Sequence, residues 1–190
     1  MPLIRGCLKK MACCPAAVPM RCLYKDEVDA FKCASSESIP CNFKNIFDQK
    51  LIPYPEKCFA AFQSRGSEEE TDGSQPIFFL KKYKELAWHD RGLAVAITFK
   101  ENNKNYIVSV NSDSSLAFNQ RELPQDIPGV QSEIIFYQKV FRKEHPNSFC
   151  FESSLKQNCY LGFSADDNNK KLVLKHLPGN NLDETIMLFV

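Results

Sequence analysis

From Cys41 onward the apolar residues fall into twelve short runs separated by polar or turn residues, and no stretch sustains a 3.6-residue period. The runs lie near Asn42 to Phe47, Gln49 to Pro53, Cys58 to Gln63, Ile77 to Lys84, Leu93 to Lys100, Tyr106 to Val110, Ser115 to Phe118, Glu133 to Phe141, Phe149 to Glu152, Cys159 to Phe163, Lys171 to His176 and Ile186 to Val190. A chain patterned in this way is all-β. Its expected core is built from Phe78, Val95, Ile97, Ile107, Ile135, Phe151, Leu161, Leu172 and Leu188.

The twelve runs group as three sets of four. The last member of each set carries a similar apolar cluster: Ile77-Phe78-Phe79, Ile134-Ile135-Phe136 and Ile186-Met187-Leu188-Phe189. First members start about 50 to 55 residues apart, a weak internal period. That period suggests a β-trefoil, in which six barrel strands are capped by hairpins and closure leaves no open sheet edge. A two-sheet sandwich is the alternative. The polar segment from Ser64 to Gln75, with Glu68-Glu69-Glu70 in it, cannot bury apolar area and is expected to be a mobile surface loop.

With 190 residues the chain is one domain, or one domain with a tail, long enough to bury roughly 70% of the unfolded surface. Fifteen Phe and six Tyr against seven Gly argue for a packed globule, and a net charge of +1 lacks the basic bias that drives binding in heparin-binding trefoils and nucleic-acid modules. His89, His145 and His176 are far apart and no Cys-x-x-Cys occurs, so no metal or other cofactor is expected. Nine cysteines are an odd number, and four of them (Cys7, Cys13, Cys14, Cys22) precede residue 30. Cys150 and Cys159 could pair across a hairpin; the plainer reading is reduced thiols acting as small hydrophobes. Arg5, Lys9 and Lys10 before Met11 to Met20 have the order of a secretory signal, but that run holds Pro15 and Pro19 and no Leu, Ile or Phe. Cys13-Cys14 could accept palmitate, and no run approaches the ~18 apolar residues of a membrane span.

Catalysis would need a nucleophile, a base and stabilising donors in one pocket. The chain has no Gly-x-Ser-x-Gly, His-Glu-x-x-His or glycine-rich phosphate loop, and its carboxylate pair Asp166-Asp167 lies in a polar turn. No enzyme is expected.

Between Phe149 and Leu174 three short strands carry the most telling residues. Phe149 and Phe151 share one face across Cys150, Tyr160 faces away from Leu161, and Leu172 and Leu174 flank Val173. Phe151-Glu152-Ser153-Ser154 has the Phe-x-Ser-Ser order that resembles the signature of interleukin-1 family cytokines. It departs from that signature further on, where Gln157, Gly162 and Phe163 stand. Around it lie Asp126-Ile-Pro128, Ser132-Glu-Ile-Ile-Phe-Tyr-Gln-Lys-Val140, Lys170-Lys-Leu-Val-Leu-Lys175 and Ile186-Met-Leu-Phe-Val190, in an order most like the interleukin-18 branch. The resemblance covers about residues 45 to 190. It implies a β-trefoil cytokine, made as a cytoplasmic precursor without a secretory leader, activated by proteolysis and then secreted. The alternatives are another ligand or receptor antagonist of the same family, or a carbohydrate-binding or intracellular trefoil, whose Gln-x-Trp repeats are missing since Trp88 is the one tryptophan.

Asp26-Glu-Val-Asp29, followed by the small Ala30, fits a caspase pocket, which holds an Asp carboxylate on arginine and reads the preceding residues as an extended strand. The tetrapeptide is closer to executioner-caspase targets than to the hydrophobic-led motifs of inflammatory caspases. It divides the chain into a flexible leader, residues 1–29 with net charge +2, and a cytokine domain, residues 30–190 with net charge −1. The resemblance further implies a monomer that brings together an interleukin-18-type pair of immunoglobulin-domain receptor chains. Positions aligned with the family's receptor contacts are Lys44 and Asp48 in Lys44-Asn-Ile-Phe-Asp48, Arg91 and Leu93 in Arg91-Gly-Leu93, Lys139, and the turn at Asp167.

Overall fold

The computed structural model describes residues 30–35, 37–64, 76–85, 91–164, 170–179 and 183–190. Fourteen strands carry the chain: β1 (Ala30–Cys33), β2 (Ile39–Cys41), β3 (Lys50–Tyr54), β4 (Phe59–Gln63), β5 (Phe78–Glu85), β6 (Leu93–Glu101), β7 (Lys104–Val110), β8 (Leu116–Gln120), β9 (Asp126–Pro128), β10 (Phe136–Arg142), β11 (His145–Ser153), β12 (Cys159–Phe163), β13 (Lys170–His176) and β14 (Leu188–Phe189). Two single 3-10 turns, Pro55–Lys57 and Glu184–Ile186, are the helical elements among the described residues.

Six strands close a ring. Antiparallel pairing runs from β2 to β5, β6, β10, β11 and β14. Phe189 of β14 then exchanges both backbone hydrogen bonds with Lys44, just beyond β2: the Lys44 N–H donates at 3.0 Å and the Phe189 N–H donates back at 2.9 Å. Three hairpins, β3 with β4, β7 with β8, and β12 with β13, complete three units of four strands. The fold is a β-trefoil, and ring closure rules out the sandwich.

Two details differ from the sequence reading. The first barrel strand, β2, is Ile39–Cys41, followed by an isolated bridge at Lys44, rather than Asn42 to Phe47, and a buried Asn45 turns the chain beyond it. The strand count is fourteen rather than twelve, because β1 and β9 lie outside the trefoil repeats: β1 pairs antiparallel with β5 on one edge and with β9 on the other. The expected mobile loop after Ser64 falls outside the described residues.

All nine expected core residues are buried, but they divide between two layers. Seven join the barrel core with Phe43, Phe62, Phe99 and Phe163. Ile107 and Ile135 instead join Phe31, Tyr83, Ala94, Ala96, Ile127 and Tyr137 in a second core on the outside of the barrel wall, beneath β1 and β9. This explains why β6 reads Leu-Ala-Val-Ala-Ile rather than alternating: both of its faces are covered. Cys150 and Cys159 are buried and free, and Cys150 packs with Tyr160 and Ile186 in a third small cluster.

Candidate functional site

Asn45 builds the first cluster. Its buried side-chain oxygen accepts hydrogen bonds from the Phe47 N–H at 3.0 Å and the Gln49 N–H at 3.1 Å, while its amide nitrogen donates to Gln49 Oε1 at 2.7 Å. The turn this creates places Asp48 in the left-handed region at φ 58°. Lys44 and Asp48 are thereby held together, with Lys44 Nζ 2.6 Å from Asp48 Oδ1. Asp48 is 80% exposed, so the pair contributes little to stability. Phe47 projects beside it, 55% exposed, with its edge on Phe163 and the Lys170 ammonium 3.0 Å from its ring centre. Asn45 was legible in the sequence only as one more polar residue.

The second cluster forms where β6 meets β10. Gly92 adopts φ +108°, and a Cβ there would sit 2.7 Å from the Gln138 carbonyl oxygen, so the chain can enter β6 at this point only without a side chain. That entry sets the Arg91 guanidinium over the Tyr137 ring at 5.6 Å and leaves Leu93 41% exposed opposite Gln138. Burial, followed by the hydrogen bond its hydroxyl donates to Glu85 at 2.9 Å, pushes the Tyr137 phenol from 10 up to about 12. Two residues on, Lys139 donates to Glu152 Oε2 at 3.0 Å across the β10 and β11 pairing. The other Glu152 oxygen accepts from the Asn158 N–H at 3.0 Å.

Arg91, Tyr137, Lys139, Cys150, Glu152 and Tyr160 share a cleft of about 370 Å³. Burial raises the Cys150 thiol above its ordinary value, so the floor of the cleft presents a neutral thiol and no ready nucleophile. Glu152 belongs to the Phe-x-Ser-Ser stretch, yet nothing in the sequence pairs it with Lys139. The serines of that stretch tie β11 to the segment before β10: Ser154 Oγ donates to the Ser132 carbonyl at 2.8 Å and accepts from the Ser132 N–H at 2.9 Å.

Of the residues singled out from the sequence, Arg91, Leu93 and Lys139 therefore come together, and Lys44 and Asp48 come together elsewhere. Strand β11 lies between the two groups. Lys139 faces Cys150 across one of its edges, while Lys44 is reached across the other through Phe189, the partner of Ser148. Three strand spacings separate them, on the order of 14 Å. Ala30 opens β1 opposite Pro128. Asp26, Asp29 and Asp167 lie outside the described residues.

Residues 73–186 match the family model for Interleukin-1 / 18. Interleukin-18 of Gallus gallus is 33% identical over 168 residues, covering 86% of this chain and 85% of its relative. Interleukin-18 of Mus musculus is 30% identical over 165 residues, covering 87% and 79%. The crystal structure of the chicken cytokine interleukin 1 beta superposes with a TM-score of 0.59 at 16% identity, over 84% of this chain and 97% of that one. With its closed trefoil barrel, its Phe-x-Ser-Ser stretch and these relatives, the chain belongs to the interleukin-1 family, as an interleukin-18-like cytokine and not an enzyme.

Proposed function

We propose that the chain is a cytokine precursor cut by a caspase-type protease after Asp29, and that residues 30–190 then bring together two immunoglobulin-domain receptor chains as a monomer, after export without a secretory leader. The observation that carries the reading is the position of Ala30. It follows Asp26-Glu-Val-Asp29 directly and lies in β1, which is held on both edges by β5 and β9. A cut at that bond would leave every described strand in place.

The two clusters offer the receptor faces. Lys44 and Asp48 would serve the first chain, with Arg91, Leu93 and Lys139 serving the second and Asp167 adding to the contact. Rim charges act mainly on association rate and buried interfacial pairs on dissociation, so charge reversal at the two groups separates their roles.

Caspase treatment of the wild type should give one product beginning at Ala30, and Asp29→Ala should stay intact. Residues 30–190 should then activate a receptor reporter that the full chain does not. Within that fragment, Asp48→Lys should weaken capture by the first receptor chain. Arg91→Glu should leave that capture unchanged and reduce signalling. Equal processing of wild type and Asp29→Ala would defeat the activation step, and normal signalling by Arg91→Glu at saturating dose would move the second face elsewhere.

A further inference from the structure

The turn beyond β2 sends two consecutive apolar residues to opposite sides. In Lys44-Asn-Ile-Phe-Asp48, Ile46 packs against the barrel core, whereas Phe47 is 55% exposed, more than any other large hydrophobic residue among those described. Phe47 is nevertheless held. Its N–H donates to Asn45 Oδ1 at 3.0 Å, its ring meets the buried Phe163 ring at 5.9 Å between centres with 69° between planes, and the Lys170 ammonium lies 3.0 Å from its ring centre. An ammonium so placed covers one ring face, drawn there by the ring quadrupole. The turn, β12 and β13 thus fix one apolar side chain that remains more than half in water.

A ring held in this way has already lost much of the rotamer freedom that an encounter would otherwise remove, so burying it against a partner is opposed by little ordering cost. The charges on the same turn are of both signs, since Lys44 and Asp48 form an exposed ion pair 2.6 Å apart. An apolar anchor inside a mixed polar rim is the anatomy of a protein contact, in which a few aromatic residues carry most of the binding energy. A lipid surface fits less well. A bilayer takes up a broad apolar face, and here a single ring stands beside a carboxylate. A stacked nucleobase would have to compete with Lys170 for the ring face.

We propose that Phe47 is the anchor of the first receptor face: its ring enters an apolar pocket on the first immunoglobulin-domain chain, while Lys44 and Asp48 meet polar groups at the rim of that pocket. The inference rests on the assignment of Lys44 and Asp48 to that chain. It adds a residue that the family resemblance does not mark, and it separates two tasks. The ring sets how long the complex lasts, and the charge pair sets how it is approached.

The test is capture of the chain, before and after caspase treatment, on immobilised ectodomains of the two interleukin-18-type receptor chains, read as association and dissociation rates. Phe47→Ala should bind the first chain about 30-fold more weakly, almost wholly through faster dissociation, with the salt dependence of association unchanged. Asp48→Lys should act instead on the association rate and its salt dependence. Val140→Ala, which trims a residue 53% exposed on β10, should bind the first chain as wild type does. Thermal midpoints should agree among the variants. If Phe47→Ala lowers its midpoint, Phe47→Leu, which keeps an apolar contact for Phe163, should fold as wild type and still dissociate several-fold faster. Unchanged capture of Phe47→Ala alongside a loss in Asp48→Lys would overturn the anchor and leave the first face standing. Unchanged capture of both variants, or no capture of wild type itself, would remove the face and the anchor together. Loss in Phe47→Ala of wild-type retention on phosphatidylserine vesicles, with receptor capture intact, would place the ring against lipid instead.

Discussion

Lys139 and Glu152 are unequal partners. The Glu152 side chain is 11% exposed and Lys139 37%, so loss of the lysine strands a carboxylate that solvent reaches poorly, whereas loss of the acid leaves an ammonium that can swing into water. We expect Lys139→Met to destabilise the protein by about 1–3 kcal/mol and Glu152→Gln to cost less. Adding Glu152→Gln to Lys139→Met should recover part of the loss, and urea denaturation of the three variants would show whether it does. Lys139→Glu is a poor probe of receptor binding, since it sets two carboxylates against each other. At this scale the sequence revealed which residue types stand at the two clusters but not what holds them. Lys139 and Arg91 were visible through their alignment with family positions; Glu152 and Tyr137 act through contacts across strands, to Lys139 and Glu85, of which spacing along one strand carries no trace, and the turn that Asn45 builds on Phe47 and Gln49 depends on its side-chain geometry and not on any apolar pattern.

Alternation identified the strands wherever one face meets the core and the other meets solvent. Eleven of the twelve runs match strands of the trefoil closely. The first run lies just past its strand, because the Asn45 side chain satisfies two backbone N–H groups and so replaces a ladder with a turn. β1 and β9 were missed for another reason: at four and three residues they are too short for a period to show. Their value lies in burial. Phe31 of β1 is fully buried and packs against Tyr137, with ring centres 6.5 Å apart. Phe31→Ala should therefore destabilise the chain by about 3–5 kcal/mol, as for other large-to-small core changes. Thermal denaturation would check this, and hydrogen exchange should show the loss concentrated in β1, β5 and β9. A change within ±0.5 kcal/mol would mean that β1 is a dispensable strap.

The whole molecule combines a closed barrel with an outer core that β1 and β9 help to cover, and the buried tyrosines of that outer core tie stability to pH. Tyr83 and Tyr137, both of the outer core, are pushed by burial from 10 up to about 12. Between those values the unfolded chain gives up phenolic protons that the folded chain keeps, so the native state binds more protons and stability falls as pH rises. We expect the denaturation midpoint to decline from about pH 10 to pH 12, and Tyr83→Phe to flatten part of that decline. The threefold barrel was legible because its strands repeat, while the outer core breaks the symmetry and so left no period. That asymmetry also constrains how the chain can change over time. A cut two residues beyond the proposed one would remove Phe31 and unroof Tyr137, Ile127 and Ile135. The packing of Phe31 thus limits how far inward the proposed cut after Asp29 could move.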